Sequence, residues 1–134
     1  GSPKDELMVE TIFADVEPSL LARCENLAGR TSLSQAIDLL AATEAVISND
    51  SGLMHIAAAL NKPVIAIYGS TTPDFTPPLA DKVRLLATDV ECRPCFERIC
   101  PFGHLRCLKE LRPELAIDAA AELLEVAPEV IEPK

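Results

Sequence analysis

The sequence predicts a doubly wound α/β fold around a parallel sheet. Three observations carry that prediction. Short aliphatic runs stand at 45–48, 64–68 and 83–87. Segments with helical apolar periodicity precede, separate and follow them. The first two runs also lack the strict alternation of a half-exposed strand, as expected of strands covered on both faces.

In chain order, Ser2 suits an N-cap, Pro3 the first helical position and Asp5 the first turn, where the helix dipole favours an acid. Val9, Ile12, Phe13 and Val16 then recur at helical spacing. Pro18 starts a second helix with Leu20, Leu21, Cys24 and Leu27 on one face, and Gly29 closes it. On that face Cys24 is expected in the core. Ser32 and Gln35 form a capping-box pair ahead of Leu33, Ala36, Ile37, Leu40 and Ala41, an amphipathic helix. Ala45-Val46-Ile47-Ser48 reads as the first strand, 51–60 as a helix that Pro63 prevents from extending, and Val64-Ile65-Ala66-Ile67-Tyr68 as the second strand. That strand–helix–strand unit favours a parallel pair with a right-handed crossover. Gly69, Pro73, Pro77 and Pro78 make 69–82 a loop before the third strand. Residues 88–112 read as irregular and cysteine-rich. Pro113 opens a last helix, with Ile117, Ala120, Ala121 and Leu124 predicted inward and Glu114, Asp118, Glu122 and Glu125 outward.

At 134 residues the chain is expected to form one domain with a real core. Its 49% hydrophobic and 25% charged residues are a globular mix. No apolar run approaches the roughly 20 residues that span a bilayer, and no basic-then-apolar signal opens the chain. A cytoplasmic location follows as the expectation. A net charge of −9 argues against a general nucleic-acid binder. One stretch runs the other way: Arg93, Arg98, Arg106, Lys109 and Arg112 within 92–112, against Glu97 and Glu110. It suits an anionic partner or membrane surface, or equally a solvated loop balanced by nearby acids.

The most informative segment is Ser48-Asn49-Asp50-Ser51-Gly52-Leu53-Met54-His55. It lies at the carboxyl end of a strand and opens a helix, where ligands of open α/β sheets bind. The first amides of a helix lack internal partners and carry the positive end of its dipole. Amides around 51–54 are therefore expected to cradle a phosphate, with the Ser51 hydroxyl and His55 as further donors. Gly52, lacking a Cβ, lets an oxygen approach the backbone. Asp50 repels phosphate and suits sugar hydroxyls instead. The alternative is that Ser51 or Asp50 only caps the helix and His55 is packed.

Four of the five cysteines, Cys92, Cys95, Cys100 and Cys107, fall at x2, x4 and x6 spacings with His104 among them. Four thiolates suit a structural zinc; reduced thiols, or a disulfide formed in oxidising buffer, are the alternatives.

Several motifs resemble the carboxyl-terminal domain of the glycosyltransferases that use ADP-heptose, glycosyltransferase family 9. They are Thr31-Ser32-Leu33, Asn49 to His55, Ala57-Ala58-Ala59-Leu60 and Tyr68-Gly69-Ser70. Pro77-Pro78-Leu79, Cys92-Arg93-Pro94-Cys95-Phe96 and Cys100 to Leu108 are similar to one branch of that family, the lipopolysaccharide heptosyltransferase II branch. The resemblance covers nearly the whole chain. It implies the Rossmann-like, nucleotide-sugar-binding half of a GT-B enzyme, with 1–134 as the carboxyl-terminal donor-binding domain and 89–112 its cysteine-rich loop. The chain is accordingly expected to be a fragment lacking the domain's first strand and the amino-terminal acceptor domain.

The resemblance further implies that Asp50 contacts the heptose, and that Ser51, Gly52, Leu53 and His55 surround the pyrophosphate. It places Asp5 at the adenosine ribose and Leu33 near the adenine. The implied reaction moves heptose from ADP-heptose to the inner core of a lipid-linked lipopolysaccharide acceptor. It inverts the anomeric centre and needs no metal, with peripheral contact at the inner face of the inner membrane. No catalytic residue is expected in this chain, because the base belongs to the absent domain; alone, the chain is expected not to turn over. Two other readings stay open: a metal-binding or interaction module built on the four-cysteine loop, and another GT-B-like nucleotide-sugar enzyme such as an epimerase.

Overall fold

The computed structural model describes residues 1–125. Glu125 is the last described residue of the final predicted helix. The chain divides into two compact units, 1–38 and 39–134.

The first unit holds a 3-10 turn, Pro3–Asp5, then α1, Glu6–Asp15, and α2, Pro18–Leu21; it ends within α3, Leu33–Ala42. The predicted capping at Ser2 forms. The Ser2 amide and hydroxyl donate to the Asp5 carboxylate at 2.6 and 3.0 Å, and these bonds hold the Asp5 carboxyl below the usual carboxylate range. Gly29 sits at φ +70°, where a Cβ would run into the Glu6 carboxylate and lie 3.0 Å from the Pro3 Cα. The capping box also forms: the Ser32 amide donates to Gln35 Oε1 at 2.8 Å and the Gln35 amide to Ser32 Oγ at 3.2 Å.

Two predictions for this unit fail. Val9, Phe13 and Val16 are half-buried, but Ile12 is exposed, so the apolar stripe of α1 is narrower than the spacing suggested. Cys24 is exposed rather than in the core. α2 lasts a single turn, and the amides of Arg23 and Cys24 close tight turns onto Leu20 and Leu21. The helical phase that would have turned Cys24 inward is lost.

The second unit is built on three parallel strands in the order β1-β2-β3: Val46–Asn49, Val64–Ile67 and Val83–Leu86. Val46, Val64 and Val83 are in register, so all three strands end at one edge. Between β1 and β2 runs α4, Gly52–Ala59; after β3 come α5, Arg106–Lys109, and α6, Pro113–Leu123. The two-residue period of β2 sorts its side chains between two layers. Val64, Ala66 and Tyr68 pack with Met54, Ala57 and Ala58 of α4, with Leu40 of α3 alongside. Ile65 faces the other way, onto Ala119 and Leu123 of α6, with Leu86 beside them. Helices on both faces make this the doubly wound arrangement predicted.

β1 departs from the expectation of full cover. α6 packs on β2 and β3, so Ile47 of β1, on the α6 side of the sheet, is 53% exposed among the described residues. The inward face of α6 also differs by a step. Ala119 and Leu123 are buried against the sheet with Ala120 beside them, while Ile117 and Leu124 are exposed. The outward placing of Glu114, Asp118, Glu122 and Glu125 holds. Glu122 accepts two hydrogen bonds from the Arg84 guanidinium, linking α6 to β3. Asn61, at φ +53°, ends the α4 turn and bonds Asp81 twice, at 2.7 and 3.0 Å. Among the described residues no helix is long and apolar enough to cross a membrane.

Candidate functional site

The site grows from the common end of the strands. Beyond Asn49 the Asp50 amide still donates to the Ile67 carbonyl of β2, at 3.0 Å. The chain then turns at Ser51, extended at φ −157°, and α4 begins at Gly52. Among the described residues, the amides of Ser51, Gly52 and Leu53 donate to no protein acceptor. Met54 was expected to share in the open set, but its amide donates to the Ser51 carbonyl at 3.1 Å, because the first helical turn closes there.

The simple capping alternative does not hold. Ser51 makes no side-chain cap bond; its hydroxyl lies 3.3 Å from that of Ser48. A Cβ built on Gly52 would meet nothing within 4 Å. The protein's own packing therefore does not require glycine at this position. Open amides, a helix dipole and clear space are the features that a phosphate oxygen requires of a seat.

Asp50 faces different company. Its side chain is 16% exposed; Oδ1 lies 3.9 Å from Nε2 of His55, whose imidazole is 43% exposed. The Thr76 hydroxyl donates to the same carboxylate at 3.4 Å. Asp50 also lines an open cleft of about 490 Å³ with Thr71, Phe75, Thr76 and Phe96. The Tyr68 hydroxyl donates to the Thr76 carbonyl at 2.8 Å and so fastens the cleft's loop over the core. Burial, and secondarily the Asp50 charge, push the Tyr68 phenol above its ordinary pKa.

Asp50, Ser51, Gly52, Leu53 and His55 are thus brought together on one turn. Asp5 and Leu33 belong to the other unit: Asp5 is engaged with Ser2, and Leu33 is exposed at the start of α3. Sequence reasoning missed Thr71, Phe75, Thr76 and Phe96. The available signal was position, since 69–82 must leave the same strand edge as the 48–52 turn.

Arg93, one of the cations suited either to an anionic partner or to a solvated loop balanced by nearby acids, fits neither description. Its guanidinium donates to the carbonyls of Gly69, Thr88 and Thr71, at 2.5, 2.6 and 3.0 Å. A planar fork with five donors can satisfy three carbonyls from two segments, and the charge is spent inside the fold. Arg106 is likewise paired, with Glu110 one turn on. Cys92, Cys95, Cys100 and Cys107 carry free thiols and line one small cavity of about 100 Å³. Among the described residues, no group of three or more Cys, His, Asp or Glu side chains gathers to hold a metal ion. Backbone amides from 102 to 105 hold the Cys100 thiol below its ordinary pKa, led by Leu105.

Comparison with known proteins gives the family of the chain. Lipooligosaccharide heptosyltransferase 2 of Haemophilus influenzae is 44% identical over 125 residues, covering 92% of this chain and 36% of that protein. Lipopolysaccharide heptosyltransferase 2 of Escherichia coli K12 is 40% identical, with the same two shares. Among solved structures, ADP-heptose lps heptosyltransferase II of E. coli superposes with a TM-score of 0.79 at 41% identity, over 93% of this chain and 35% of that one. A glycosyl transferase of family 9 from Veillonella parvula gives 0.75 at 26% identity, with the same coverage. The chain thus spans about 36% of the length of the curated relatives it matches. The profile of glycosyltransferase family 9 (heptosyltransferase) matches residues 1–106, and the chain belongs to that family.

Proposed function

We propose that this chain is the carboxyl-terminal donor-binding part of a heptosyltransferase acting in lipopolysaccharide core synthesis. The donor is ADP-heptose, and the acceptor is a lipid-linked inner-core sugar. The observation that carries this reading is the set of open amides at Ser51, Gly52 and Leu53, beside the Asp50 carboxylate. In this reading the amides and His55 receive the diphosphate, Asp50 accepts hydrogen bonds from heptose hydroxyls, and Asp5 and Leu33 serve the adenosine end.

Charge grows on the diphosphate as the glycosidic bond breaks. Preorganised amides at a helix start meet that charge without reorganising, so they stabilise the transition state more than the ground state. They take the part that a metal ion plays in other transferases. The base that removes the acceptor proton, with inversion at the anomeric carbon, comes from outside these residues. The domain works on the cytoplasmic side, with at most peripheral membrane contact, and takes no nucleic acid.

Calorimetric titration of the folded chain with ADP tests the reading. Saturable binding that weakens with added salt is expected. A folded chain that binds no ADP refutes it.

A further inference from the structure

We propose that Phe75 and Phe96 form an aromatic wall that takes the apolar face of the donor's sugar ring, with Arg93 as the residue that positions Phe96. The proposal deepens the donor-site reading and rests on it.

The two rings meet edge to face, 5.5 Å between centroids and 90° between planes. They are 76% and 52% exposed, beside Asp50, Thr71 and Thr76 in one cleft. Two large aromatic side chains left open to water are unfavourable unless something covers them. The lining matches one kind of occupant. A pyranose carries hydroxyls around its rim and C–H bonds on its faces. The rim meets a carboxylate and the Thr76 hydroxyl, while a face meets the phenyl pair. The volume of about 490 Å³ falls within the usual range of small-molecule clefts.

Phe96 holds its place at a cost. Its φ is +57°, a conformation rare for a bulky side chain. Its amide donates to the Ser70 carbonyl at 2.8 Å, and the three Arg93 bonds tie the same segment to Gly69, Thr71 and Thr88. The cysteine-rich segment is thereby stapled to the loop that follows β2, and Phe96 is delivered to the cleft. Strain held by four separate hydrogen bonds is what a binding residue shows, rather than a loose loop.

The test is calorimetry of the full chain and its Phe75→Ala, Phe96→Ala, Arg93→Met and Phe102→Ala variants, each checked for folding by circular dichroism. ADP, ADP-heptose and a free methyl heptoside are the probes. Burying one face of a sugar ring is expected to give ADP-heptose a five- to tenfold advantage over ADP. Either wall variant should remove most of that advantage and leave ADP affinity unchanged. Arg93→Met should act as Phe96→Ala does and add nothing to it when the two are combined, whereas Phe102→Ala, which removes a ring outside the cleft, should do nothing. An equal advantage in all variants overturns the wall, even if ADP binds as expected. Binding of the free heptoside that vanishes in the wall variants assigns the wall to the acceptor sugar and overturns the donor assignment. A folded chain that binds no ADP refutes the donor-site reading on which the wall rests, whatever the wall variants do.

Discussion

Replacing Gly52 with alanine separates ligand binding from folding at a single atom. In the free protein the added Cβ meets nothing within 4 Å, and the backbone there is not in the left-handed region. Among the described residues nothing opposes the methyl group. Glycine to alanine at a compatible position stabilises by about 0.4–1 kcal/mol, mainly by narrowing the unfolded ensemble. For a domain of this size that raises Tm by about 1–4 °C. The ligand experiences the change differently. A phosphate oxygen that bonds the Gly52 and Leu53 amides must pass where the methyl stands. Losing one charge-assisted hydrogen bond costs about 1.5–3 kcal/mol, or roughly ten- to hundredfold in affinity. The assays are differential scanning calorimetry and titration with ADP on the same preparation. A variant that melts higher and binds at least tenfold more weakly is the expected result. ADP affinity within twofold of the parent would refute the reasoning, and so would a lower Tm, which would mean that the glycine serves the fold after all.

Three further outcomes follow from the packing. Met54→Ala empties a fully buried site between α4 and the sheet, and should cost about 2–5 kcal/mol in a urea melt. Tyr68→Phe removes the bond to the Thr76 carbonyl and should cost about 0.5–1.5 kcal/mol at pH 7. The Tyr68 pKa is raised in the folded state, so its contribution is intact below pH 10 and falls away as pH rises beyond that. The parent should lose stability on that alkaline limb more steeply than the phenylalanine variant. Glu122 is held below its ordinary value by Arg84, so its pairing stabilises at neutral pH and is lost as pH falls below about 4.5. Glu122→Gln should flatten that acid limb in pH-dependent melts, and 1 M salt should shrink the difference.

The elements that proved legible were those whose pattern answers to a single neighbour. β2 is covered on both faces, so its unbroken Val-Ile-Ala-Ile run announced it correctly. β1 carries the same kind of run, but apolarity alone does not say whether a second layer is present over Ile47. On α6 the pattern gave the solvent side, because four acids mark it plainly. Small and large apolar residues crowd 115–124, so the buried ridge could be placed only to within one position until Ile65 and Leu86 were seen against it. Cys24 failed because four residues of helix are too few to carry a phase. The site divides the same way. The 50–55 cluster is contiguous, and strand-then-helix logic sufficed to place it at the strand edge where α4 begins. Phe75 and Phe96 are 21 positions apart in a sequence that says nothing of their meeting. Arg93 reads as surface charge in one dimension, since a guanidinium that bonds three carbonyls leaves no mark in composition.

A difficulty in the turn resolves once its two sides are taken separately. A carboxylate directly before a phosphate seat looks like a design error, since the two anions repel. The Asp50 amide, however, is committed to β2, and its side chain lines the cleft with Thr76, Phe75 and Phe96. The next three amides, at Ser51, Gly52 and Leu53, have no protein acceptor among the described residues. A ligand with one uniformly anionic end would gain from the amides and lose to Asp50. A ligand that is anionic in the middle and hydroxylated at the end would gain from both. Under the proposed donor reading, the charge pattern of the turn would favour a diphosphate that carries a sugar over a bare nucleotide, through repulsion as much as attraction. Asp50→Asn is therefore expected to tighten ADP and weaken ADP-heptose. If both affinities fell together, the carboxylate would be shaping the turn and not reading the sugar.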